Sequence, residues 1–341
     1  MSAMAKNAKL EPISMGVTMR VKVSLIILAA VVGLLLVTEA LLRLILGLGN
    51  PPLYLADEEI GYLLAPQQQV SRLGKKMLIN EYSMRSKSIT PEKSPQTLRI
   101  FLLGDSVANG AWWTDQEEII SQLIENQLAA TGKQLEVLNA SANSWGPRNQ
   151  LAYLQRYGTF TSQVIILLIN TDDLFATAPT SLPVGRSLAY PSRKPPLALI
   201  EAWQRYLVGD QEIPGMAEVQ SEKGDRVGFN LEAIREINRI SQKNNAQFIL
   251  AMTPLLREIG KPGSRDYEIK ARQRLVEFTN SEQIFYVDFL PLFAATEQPE
   301  KLFRDHIHLS PKGNLLVSKL LAEVCLKGKG ERVKVEKQTE T

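Results

Sequence analysis

Residues 164–169 are aliphatic without interruption. A strand with one wet face alternates apolar and polar side chains. A run with no alternation predicts a strand covered on both faces, the usual setting of a parallel sheet. From residue 98 onward the chain fits that setting. Strand-length runs at 98–103, 135–139, 248–253 and 285–287 alternate with helical patterns over 116–130, 148–157, 231–244, 268–279 and 311–326. Within 116–130, Ile119, Ile120, Leu123, Ile124 and Leu128 share one face. Pro311, after the cap candidate Ser310, opens the last helix. This alternation predicts an α/β fold, a parallel sheet between helices. Residues 176–196 are rich in Pro, Ser and Thr and read as a long surface loop, and 195–225 as a mobile helical insert beside the site.

A second apolar run has a different meaning. Residues 23–37 are apolar apart from Ser24 and Gly33, and a helical pattern continues to 46. Glu39 and Arg43 within it are spaced to pair on one helix face. The length suits a membrane span of about 20 residues. Lys6, Lys9, Arg20 and Lys22 precede it, which predicts a cytoplasmic N-terminus and an extracytoplasmic C-terminal part, periplasmic or at the cell surface. No small-x-small cleavage pattern follows, which favours an uncleaved anchor over a signal peptide. The expected organisation is a basic N-terminus (1–22), an anchor (23–47), a linker with an irregular extension (48–97), the α/β domain (98–326) and a charged, disordered tail (327–341).

The formal charge of +3 on 341 residues is nearly balanced, so the composition does not suggest nucleic-acid binding. The single cysteine, Cys325, excludes an intrachain disulfide and reads as a small buried hydrophobe.

Both histidines of the chain, His306 and His308, lie in one loop before the last helix. A histidine base, if the protein uses one, comes from there. The spacing Asp305-x-x-His308 lets a carboxylate lie beside an imidazole on one turn, the pairing a serine nucleophile requires. Ser106 ends Gly104-Asp105-Ser106 at the carboxyl end of the first strand, where ligands collect in open α/β sheets. Its own N–H can stabilise an oxyanion there, and Asp105 reads as an acceptor that holds the turn. His306 and His308 could be two metal ligands on one strand face, but further histidines are absent and no metal or other cofactor is expected. His306 then reads as an exposed neighbour. Trp112, Trp113 and Trp145 suit equally a sugar-stacking wall or packing between loops.

Over roughly residues 98–325 the sequence resembles the SGNH/GDSL hydrolase superfamily, with four blocks in order. They are Gly104-Asp105-Ser106-Val107, the stretch from Asn139 to Pro147, the strand at 164–169 running into Asn170-Thr171-Asp172-Asp173, and Asp305-x-x-His308-Leu309-Ser310. The resemblance implies a three-layer α/β/α, flavodoxin-like sandwich. It also implies Ser106 as nucleophile, His308 as base and Asp305 as its orienting partner. Gly61-Tyr62 and the block from Ile79 to Arg85 resemble the segment before the domain in membrane-anchored bacterial members, many from exopolysaccharide or cell-envelope systems.

The pattern departs from the family at two oxyanion positions. Ser144 stands where a glycine is usual, with Gly146 nearby as a substitute donor. Asp172 stands where the family places an asparagine amide, and an ionised carboxylate cannot donate to an oxyanion. Asn170 supplies that amide if the loop is displaced by two residues. The expected function is a serine esterase that removes O-acyl groups from an envelope or secreted polysaccharide. Alternatives are an O-acyltransferase on the same residues, a lipid ester or thioester hydrolase, and a non-catalytic assembly factor. The expected partners are an acylated carbohydrate or other ester and the membrane through residues 23–47; oligomeric state is open.

Overall fold

The computed structural model describes residues 13–130, 132 and 134–327. Most of the basic N-terminal stretch and of the charged tail lies outside the described residues. The chain opens with α1 (Ile13–Leu44), whose stretch Met19–Leu44 is long and apolar enough to cross a membrane and is unburied by the rest of the chain.

Residues 48–97 do not form the irregular extension expected. They hold two antiparallel hairpins, β1 (Tyr54–Asp57) with β2 (Gly61–Leu64) and β3 (Gln68–Arg72) with β4 (Lys75–Ile79). Their strands are only four or five residues long, too short for a legible alternation. Residues 47–52 are no free linker either. Leu48, Pro51 and Pro52 are buried, and the Gly49 N–H donates to the Glu201 carboxylate at 2.6 Å.

The main body follows as β5 (Leu98–Gly104), α2 (Ser106–Asn109), α3 (Ile120–Ala129), β6 (Leu135–Ser141), α4 (Pro147–Tyr157) and β7 (Val164–Asn170). After the loop and insert, with α5 (Ala198–Trp203) and α6 (Met216–Gln220), come α7 (Arg226–Lys243) and β8 (Gln247–Thr253). The chain then closes with α8 (Asp266–Ser281), β9 (Phe285–Asp288), α9 (Leu290–Ala294) and α10 (Pro311–Lys327). Strands β5 to β9 form one parallel sheet in the order β6-β5-β7-β8-β9.

Successive residues of each strand face opposite layers. Phe101, Leu103, Ile165, Leu167 and Leu250 pack with α4, α7, α8 and the hairpins, while Ile100, Leu102, Ile166, Leu168 and Ile249 pack with α3, α9 and α10. The aliphatic run at 164–169 is buried throughout because both faces are covered. This is the three-layer, flavodoxin-like sandwich. Cys325 is buried in the second layer, and burial pushes its thiol up to about 12.

One helix differs from expectation. Residues 116–130 split into a 3₁₀ turn (Gln116–Glu118) and α3, with Ile119 extended between them (φ −75°, ψ 152°). Asp115 caps the short turn by accepting from the Glu117 N–H, and both Ile119 and Ile120 are buried. Fixing two adjacent residues into the core outweighs helix continuity here.

Candidate active site

The strand order reverses around β5: the chain steps from β5 to β6 on one side, then to β7 on the other. Ligands in such sheets bind at this switch, outside the carboxyl ends of the strands. Ser106 sits there, in the first turn of α2. Asp105 caps that turn, its carboxylate accepting the Val107 N–H at 2.8 Å. Gly104 is required by a close approach, since a Cβ there would lie 2.4 Å from the Ala108 Cβ and 3.0 Å from the Leu168 carbonyl oxygen. Asn139 anchors α2 from the next strand, donating to the Ala108 carbonyl at 2.8 Å.

The loop before α10 delivers two partners to Ser106. Asp305 accepts the N–H groups of Ile307 (3.0 Å) and His308 (2.8 Å), which winds the loop back on itself. The turn places His308 Nδ1 2.8 Å from Asp305 Oδ2, and His308 Nε2 lies 2.9 Å from Ser106 Oγ. With Nδ1–H facing a carboxylate, the imidazole keeps Nε2 as an acceptor for the Ser106 hydroxyl. Burial pushes the Asp305 carboxyl up, but the two backbone N–H groups and the imidazole outweigh it, so its pKa falls below the ordinary value. A carboxylate ionised across a wide pH range suits an orienting partner for imidazole. Trp113 supports the ring edge-on, with centroids 4.9 Å apart.

His306 points away, its side chain 82% exposed and 3.9 Å from Asp305. Among the described residues no cluster of His, Cys, Asp and Glu is placed to hold a metal. Trp145 is buried and donates its indole N–H to the Tyr62 carbonyl, so it packs between loops and forms no sugar wall. Trp112 and Trp113 are half-buried and touch each other at 5.6 Å.

A cavity of about 330 Å³ opens over Ser106, lined also by Tyr62, Ser144, Asp172, Phe175 and Ile307. Two expected oxyanion donors are already engaged. The Gly146 N–H donates to Asn149 Oδ1 at 3.0 Å, closing a cap on α4. The Asn170 side-chain amide donates to Asp105 Oδ2 at 2.7 Å and to Asp173 Oδ2 at 3.1 Å. Both were expected to face the oxyanion; in the structure a helix cap holds the first donor and a pair of buried carboxylates the second. Burial, reinforced by the charge of Asp105, raises the Asp173 carboxyl well above its ordinary value.

Ser106 and Ser144 both line the cavity, and their backbone N–H groups have no acceptor among the described residues. Ser144 adopts a left-handed backbone (φ 56°), and Tyr190 donates to its hydroxyl at 2.9 Å. The position thus has the conformation that favours glycine, with serine held by a side-chain bond instead. Asp172 is exposed on the cavity rim, its own N–H donating to Asn170 Oδ1.

Sequence reading missed two supports of this site. Arg85, fully buried, donates to the carbonyls of Asn109, Ala111 (2.6 Å) and Thr114 (2.6 Å), clamping the loop that carries Trp112 and Trp113. Its place at the end of the 79–85 block was the available signal. Tyr190 had none, because only the folded loop brings it to Ser144.

The fold is that of an α/β hydrolase, with Ser106, His308 and Asp305 brought together at the carboxyl ends of its strands. Residues 102–316 match the GDSL-like Lipase/Acylhydrolase family, and the chain belongs to that family of ester-bond hydrolases. Solved structures with a similar fold include the acetyl xylan esterase AlAXEase (14% identity, TM-score 0.45, covering 67% of this chain and 99% of that one). Others are the lipase/acylhydrolase of Enterococcus faecalis (14%, 0.41, 67% and 94%) and a mutant of Axe2, an acetyl-xylooligosaccharide esterase of Geobacillus Stearmophilus (14%, 0.45, 69% and 95%). No curated protein matches the chain.

Proposed function

We propose that Ser106, His308 and Asp305 are the catalytic triad of a membrane-anchored serine esterase. In this reading it removes O-acyl groups, acetyl foremost, from an envelope or secreted polysaccharide. The observation that carries it is the continuous hydrogen-bonded chain from Asp305 through His308 to Ser106, with steps of 2.8 and 2.9 Å. Ser106 Oγ attacks the ester carbonyl carbon as its proton passes to His308 Nε2. The tetrahedral oxyanion accepts hydrogen bonds from the N–H groups of Ser106 and Ser144. His308 returns the proton to the leaving sugar oxygen, which departs as a free hydroxyl and leaves an ester on Ser106. Water then attacks that ester, its proton passing through His308 to Ser106 as the carboxylic acid leaves. The 330 Å³ cavity suits a short acyl group better than a long lipid chain.

The span Met19–Leu44 supports an anchored protein, and the basic residues Lys6, Lys9, Arg20 and Lys22 at its start favour a cytoplasmic N-terminus with this site outside the membrane. The roles are tested on the full chain in detergent, because Gly49 and α1 are bound to the body. Turnover of p-nitrophenyl acetate is expected, with Ser106→Ala lowering it by a factor on the order of 10⁴ or more. A fluorophosphonate is expected to label Ser106. Unchanged turnover in Ser106→Ala would overturn the assignment.

A further inference from the structure

The insert between β7 and α7 is built inside out. α5 and the π-helical turn Gln204–Val208 after it bury Glu201 and turn Ile200, Trp203, Tyr206, Leu207 and Val208 outward. Trp203 is 60% exposed, Tyr206 74% and Leu207 71%. A helix lying on a protein in water buries the apolar face and exposes the carboxylate. Here Glu201 is fixed inside by Arg72 and Arg205, each at 2.8 Å, and by the Gly49 N–H at 2.6 Å. The inward ion pairs therefore hold an apolar face toward the outside, where nothing in the described chain covers it.

The position of that face identifies its occupant. Glu39, near the end of α1, accepts the N–H groups of Ala198 (2.8 Å) and Leu199 (2.9 Å) at the start of α5. Arg43, paired with Glu39, also donates to the Pro196 carbonyl at 3.1 Å. The turn between β3 and β4 reaches the same place, with the Leu73 N–H donating to the Leu46 carbonyl at 3.1 Å. Leu73 is 54% exposed there, and Leu44 and Ile45 are 84% and 62% exposed. The insert and the β3–β4 turn thus both attach to the end of the apolar helix, and each carries exposed apolar side chains.

We infer that this collar is seated in the interfacial layer of the bilayer that α1 crosses. Trp203 and Tyr206 lie at the headgroup level, and Leu207 and Val208 reach toward the acyl chains. The inference rests on the reading of α1 as a membrane span. Its consequence is that the catalytic body stands on the membrane in one orientation and does not swing on a tether.

The test uses the full chain with Cys325→Ser, in nanodiscs of phosphatidylcholine and phosphatidylglycerol containing nitroxide-labelled lipid. Leu207→Cys, Leu35→Cys in mid-span and Glu277→Cys on α8 are each labelled with an environment-sensitive fluorophore. The Leu207 probe is expected to lose roughly half its emission or more to the nitroxides, as the Leu35 probe does, while the Glu277 probe keeps its emission. Quenching at Leu35 without quenching at Leu207 overturns the collar and leaves the span standing. No quenching at either position overturns both. A Leu207 probe shielded from water yet unquenched by lipid shows that a second copy covers this face, which also overturns the proposal.

Discussion

At the scale of single residues, the site turns on which donors are free. Gly146 and Asn170 are present in the sequence, yet their donors are spent on Asn149, Asp105 and Asp173. Asp172 borders the same cavity with an exposed carboxylate. In the proposed mechanism its negative charge opposes the developing oxyanion. Asp172→Asn is therefore expected to raise kcat on p-nitrophenyl acetate by about 10-fold or more, with less effect on KM. A fall in kcat would show that Asp172 has a positive task in binding or orienting substrate. Asp105 carries a pH signature. Burial raises its carboxyl to about 6, against the Val107 N–H, the imidazole and the Asn170 amide. Between about pH 4 and 6 the folded chain holds a proton there that the unfolded chain has released. Stability accordingly falls as pH rises through that window and levels above it. Asp105→Asn, which cannot ionise, is expected to reduce that slope in denaturant unfolding between about pH 4 and 8.

Among the elements, the two hairpins are what the sequence concealed and what the site depends on. They close one face of the sheet, and the segment that follows them delivers Arg85 under the loop after α2. Three backbone carbonyls share one buried guanidinium. Arg85→Met would leave those carbonyls unpaired at about 1–3 kcal/mol each. The expected result is a loss of roughly 3 kcal/mol or more in denaturant unfolding, with a lower kcat in the fraction that stays folded. The split of residues 116–130 teaches a related lesson. A helical stripe is legible from side-chain spacing, but the point where Ile119 breaks it depends on the body it packs into.

For the whole molecule, the apolar helix, the insert and the sheet behave as one object. Arg72 pairs with Glu201 through a buried contact, and its guanidinium also lies 5.3 Å over Trp112. Trp112 touches Trp113, which supports His308, so a line of contacts joins the end of α1 to the His308 imidazole. Glu201 would stay buried if Arg72 were removed, with Arg205 and the Gly49 N–H as its remaining partners. Arg72→Met is expected to cost about 3 kcal/mol, read as a lower melting temperature of the full chain in detergent. The sequence by itself determined the layered α/β class, because an unbroken aliphatic strand has no stable place except between two covered faces. It also brought Ser106, Asp305 and His308 forward as candidates, because strand-end turns and short spacings are local properties. Only the tertiary structure decided which N–H groups near Ser106 are free and how the hairpins, Arg85 and the insert attach to α1. Those depend on hydrogen bonds and ion pairs between residues far apart in the chain, such as Glu39 with Ala198 and Arg72 with Glu201. No local pattern encodes such partners, since each is chosen by the geometry of everything packed around it.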